Sequence, residues 1–157
     1  MPVPTNDLAL LARSIDPLVE LTESADPSAV AAAESALGVD FPSGLRHFLS
    51  QSDGATIGVR LTSSEVVPNA SPLIWPVSEI VARNRAANTG AGISPHSQFL
   101  FFADAGADGM LFGHPVNDHG VALDRVVAYY PVDERAVVVA TDLRAWLAGW
   151  LGGNLVI

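Results

Sequence analysis

Two loops hold most of the side chains that could do chemistry. The first is Asp104-Ala-Gly-Ala-Asp108-Gly109, set between the apolar runs at 99–103 and 110–112. Carboxylates at this spacing, followed by glycine, open a calcium loop of the EF-hand type. Such a loop takes oxygen ligands at positions 1, 3 and 5, glycine at 6 and a bidentate glutamate at 12. Asp104, Asp108 and Gly109 would fill positions 1, 5 and 6, but position 3 is Gly106 and position 12 is Pro115. Both flanks read as strands rather than helices. Asp and Gly are also the residues expected where antiparallel strands connect, so a turn is the expected role.

The second loop is His114-Pro-Val-Asn-Asp118-His119. Imidazole and carboxylate together suggest zinc. The spacing matches no helical i, i+4 pair and no third ligand is evident, so solvated loop residues are expected and no metal or cofactor. Nucleophilic catalysis finds little support: there is no G-x-S-x-G elbow, and Ser94 and His96 are merely close along the chain. A phosphate loop needs a lysine after its glycines, and this chain has no lysine. Paired carboxylates for glycoside hydrolysis are a matter of tertiary geometry, which the sequence leaves open. Of three tryptophans, Trp146 and Trp150 fall on an apolar helical stripe and read as core. Trp75 precedes Pro76 beside a loop, where it could pack inside or anchor a partner.

Composition narrows the classes. The chain has 157 residues, 49% hydrophobic and 16% charged, enough for one domain spanning 1–157 with a substantial core. Seventeen acids face eight bases, a net charge of −9. That balance disfavours direct nucleic-acid binding and docking on anionic lipid, and it favours a basic protein partner. The absence of cysteine excludes disulfides and thiolate chemistry and fits a reducing cytoplasm. The N-terminal residues show no secretory signal, and no apolar run reaches the ~18 residues that span a bilayer.

The elements that must position these residues come next. Asn6 or Asp7 can cap a helix carrying Leu8, Leu11 and Ile15. Asp26-Pro27 opens a second helix, with Val30, Ala33 and Leu37 on one face and Gly38 stopping it. A third follows Pro42-Ser43, carrying Leu45, Phe48 and Leu49. Residues 56–61 and 73–75 read as strands, joined by a polar loop with Pro68, Asn69 and Pro72. Ser78 caps a helix with Ile80, Val81 and Asn84, and 89–97 is a Gly/Pro loop. Strands follow at 99–103, 110–112, 126–130 and 136–139. Thr141 or Asp142 caps the last helix, whose Leu143, Trp146, Leu147, Trp150 and Leu151 should cover one face of a sheet. Helices first, then a meander, then a helix: the order predicts an α+β fold with an antiparallel sheet.

Within these elements, "AAAESALGVDFPSGLRHFLSQSDGA" at 31–55 resembles the opening signature of the SUKH superfamily, the Smi/Knr type. That superfamily includes fungal cell-wall-synthesis regulators and many bacterial proteins. The matching residues are Leu37-Gly38, Phe41-Pro42, Leu45, Phe48-Leu49 and Gly54, with Asp53 where asparagine is usual. Trp75-Pro-Val-Ser-Glu79-Ile80 with Asn84 resembles the strand-to-helix step. Phe101-Phe102-Ala103-Asp104 with Gly106 and Asp108-Gly109 resembles the middle hairpin. Thr141-Asp-Leu143-Arg-Ala-Trp146-Leu147 resembles the closing helix. The resemblance runs from about 29 to 151; segments 57–72 and 114–124 depart from it.

The resemblance implies a twisted antiparallel sheet flanked by helices, and a binding module rather than an enzyme. Bacterial members are often immunity proteins that occlude a cognate toxin, frequently a nuclease, whose basic site an acidic inhibitor complements. The expected contact residues are Asp53, Trp75, Asp104, Asp108 and His114. An intracellular scaffold or regulator is the alternative, and an enzyme using Asp104 and Asp108 a third.

Overall fold

The computed structural model describes residues 7–88, 98–105 and 109–155. Their elements run α1 (Leu8–Ile15), β1 (Val19–Leu21), α2 (Pro27–Leu37), α3 (Ser43–Gln51), β2 (Ala55–Arg60), β3 (Val66–Ile74), α4 (Val77–Asn88), β4 (Phe99–Asp104), β5 (Leu111–Pro115), β6 (Val126–Tyr130), β7 (Arg135–Ala140) and α5 (Leu143–Gly152). The fold is α+β, as expected. Its strands form two antiparallel sheets, β1-β2-β3 and β4-β5-β6-β7.

Local chemistry sets the helix ends. The Asp7 carboxylate accepts the Leu10 N–H at the start of α1. Asp26 does the same for Ser28 at the start of α2, where Pro27 occupies the first turn. Gly38 ends α2 at φ +66, a left-handed conformation that glycine adopts without a Cβ clash. Asp142 caps α5 through the Ala145 N–H.

The apolar stripe of α5 lies on the four-stranded sheet. Trp146 is fully buried and meets Phe102 and Phe112 edge-on, at centroid distances of 5.0 and 5.1 Å. Burying a side chain of this size contributes roughly 2–3 kcal/mol. Phe99, Phe101 and Tyr129 form a second aromatic cluster, at 5.6–5.9 Å.

Three local expectations are corrected. β1 was not anticipated, because three residues are too few to show a period. The expected polar loop holding Pro68, Asn69 and Pro72 is mostly β3, paired to β2 with register shifts. Prolines are tolerated there because β3 is the last strand of its sheet. His114, expected on a surface loop, lies inside β5 and is fully buried. Asn117, Asp118 and His119 are exposed as expected. Their loop is pinned to the α2–α3 connection: Asp40 N–H donates to Gly120 O at 2.8 Å, and Ala122 N–H to Asp40 O at 2.9 Å. The 89–97 loop, with Ser94 and His96, lies outside the described residues.

Candidate interaction surface

Where β3 runs into α4, several residues of the resemblance meet in one seam between the two sheets. Phe101 pairs with Gly113 and Ala103 with Phe112, so Phe102 is the extra residue of a bulge. Its carbonyl accepts the Trp75 N–H at 2.9 Å, tying the end of β3 to β4. The Trp75 indole N–H donates to Asp104 Oδ2 at 3.3 Å. The Arg83 guanidinium sits 4.9 Å over the indole ring and is itself 3.3 Å from Glu79.

Asn84 completes the join. Its side chain accepts from Phe101 N–H at 2.9 Å and donates to Phe101 O at 2.8 Å and to Ile80 O at 2.7 Å. It thereby acts on the open edge of β4 as a strand would. It is 3% exposed, so these bonds satisfy groups that water does not reach.

Asp53 and Gly54 close the seam from the other side. Asp53 Oδ1 accepts the Val77 N–H at 2.8 Å and so caps α4; the expected cap, Ser78, lies one residue inside the helix. Removing such a cap costs about 1 kcal/mol. Gly54 has φ +80, and a Cβ there would sit 2.6 Å from Pro76 N and 2.8 Å from Ile74 O. No other residue type fits that approach.

The structure therefore brings together three of the five expected contact residues: Asp53, Trp75 and Asp104. It shows them engaged with one another's surroundings. Trp75 is 1% exposed, which corrects its reading as an anchor offered to a partner. Asp53 and Asp104 are half-buried, so each offers some surface. A groove of about 420 Å³ borders Trp75, lined also by Glu79, Arg83, Phe101 and Leu111. Asp108 lies outside the described residues.

His114 stands apart from this group. Its ring stacks on Phe102 at 4.9 Å, and Nδ1 lies 3.0 Å from Arg125 O, which places the proton on Nδ1. Desolvation pushes the imidazole down to about 4, against the opposing pull of the Arg125 carbonyl and the Asp124 charge. The ring is neutral at pH 7 and presents no area to a partner. Among the described residues, no three His, Asp or Glu side chains are placed to hold a metal ion.

A cluster of exposed apolar side chains was not anticipated. Val59, Leu61, Val66 and Val67, around the β2–β3 turn, are 38–58% exposed. The alternation Ile57, Val59, Leu61 is visible in the sequence, but alternation ordinarily signals a buried face. Only tertiary structure shows that these side chains stay exposed.

Compared with known families, residues 24–149 match the SMI1 / KNR4 family (SUKH-1). The match covers most of the chain, and the chain belongs to this family. No curated protein matches it. Among the described residues, no helix is long and apolar enough to cross a membrane.

Proposed function

We propose that this chain is a protein-binding module of the immunity type, acting in the cytoplasm by occluding a basic toxin such as a nuclease. The observation that carries the reading is the family match over 24–149. The family is generally non-catalytic, which favours binding over turnover. The net charge of −9 without lysine supports the choice of partner. Acidic residues steer a cationic protein into encounter and suppress anionic competitors. Asp104 is engaged by the Trp75 indole, which gives it a structural task and weakens the case for a carboxylate enzyme.

The test is affinity capture with the intact chain from its own host at low salt, followed by activity assays on what is recovered. The expected result is one basic protein whose toxicity an equimolar amount of the chain abolishes. A partner whose activity is unchanged supports the scaffold or regulator reading instead. Recovery of no partner contradicts both.

A further inference from the structure

Among the described residues eight large hydrophobic side chains are exposed, and four of them sit on the β2–β3 hairpin. Single exposed apolar residues are ordinary on a surface; a cluster calls for a cause. Val59 pairs directly with Val67, and Leu61 lies two residues beyond Val59, so the three share one face. Leu61 is the most exposed, at 58%. The backbone beneath them is held. Leu61 N–H donates to Glu65 O at 2.9 Å, and the Thr62 hydroxyl accepts the Glu65 N–H at 3.0 Å. Docking on a pre-ordered turn loses little further entropy.

Two observations narrow the occupant. First, β3 is poorly suited to receive an added strand. Pro68 and Pro72 have no N–H to donate, and Asn69 sits at φ +52 with its side chain bonded to the Thr56 hydroxyl. Prolines and irregular backbone blunt a sheet edge, so contact falls to side chains rather than to a shared ladder. Second, the chain carries a net charge of −9, seventeen acids against eight bases. A second copy would bring the same excess of negative charge. A cationic protein complements it.

Resting on the binding role proposed above, we infer that the β2–β3 hairpin tip is the docking element. Leu61 inserts into an apolar pocket, ringed by basic residues, on the partner protein. The net negative charge of the chain sets the encounter rate, and the Val59–Leu61–Val67 face sets the residence time.

The experiment places the photo-cross-linking residue benzoylphenylalanine at position 61, at 83 beside Trp75, or at 132 in the β6–β7 turn. Each full-length chain is expressed in its own host and irradiated. Val132 is 90% exposed and serves as the surface control. A discrete adduct is expected from position 61 alone, with a protein of net positive charge. Combining Glu20→Lys with Glu65→Lys should lower its yield about tenfold at low salt. Melting curves of the chains substituted at 20, 61, 65 and 132 should overlay, since those positions are exposed. An adduct from 83 or 132 but not from 61 overturns the hairpin assignment and leaves the binding role standing. An adduct with a second copy, or with an acidic protein, overturns the assigned occupant. No adduct at any position counts against both.

Discussion

The two ends of β3 meet different fates. At its C-terminal end, Ile74 and Trp75 are at most 1% exposed, and the chain is fixed by Gly54, Asp53, Phe102 and Asn84. At its N-terminal end, Val66 and Val67 are 38% and 41% exposed and pair with Arg60 and Val59 of β2. The buried end carries much of the family resemblance; the exposed end lies in the segment that departs from it. A signature of this kind therefore records how two sheets are joined. A surface that must fit one particular partner has reason to lie outside it.

The sharpest way to break the seam is Gly54→Val. The left-handed φ and the approach of Pro76 N to 2.6 Å leave no room for a side chain. Strain and overpacking together should cost about 4 kcal/mol, read as loss of soluble folded protein or a collapsed urea midpoint. Asn84→Ala comes next. It removes both bonds that Asn84 makes to the Phe101 backbone in a site closed to water, and unfolding free energy should fall by about 3 kcal/mol.

His114 supplies a pH test beneath the same sheet. Its folded pKa of about 4 lies below the ordinary 6.5, so between those values the unfolded chain binds more protons. Stability should be unaffected by this group above pH 6.5, fall as pH drops towards 4, and lose no more below that. The full loss is about 3 kcal/mol. Urea titrations of the parent and of His114→Gln across that range isolate the effect, because the carboxylates titrate in both. Equal slopes would contradict the burial of a neutral ring.

Much of this was legible in the sequence where the cause is local. Asp7, Asp26, Asp142 and Gly38 act within a few residues of themselves, and each helix end they mark is found there. The α5 stripe is long enough to show its period, and Trp146 and Leu147 are buried as it requires. The misses are non-local. Asp53 caps a helix that starts 24 residues later. Pro68 and Pro72 look like breakers unless the strand is known to be an edge. His114, followed by Pro115 and Asn117, reads as loop until β6 is seen pairing alongside β5. Trp75 could be read either as core or as contact, and β4 decided the matter by accepting its backbone N–H.

The most direct measurement compares Leu61→Asp with Asn84→Ala in two assays, urea unfolding and affinity for the captured partner. Leu61→Asp should leave stability within about 0.5 kcal/mol of the parent and weaken binding about 100-fold. Asn84→Ala should be the reverse: about 3 kcal/mol less stable, yet binding within about threefold wherever it remains folded. If Leu61→Asp binds like the parent, or destabilises the chain as Asn84→Ala does, the hairpin tip is not a recognition surface and the contrast between the two ends of β3 fails.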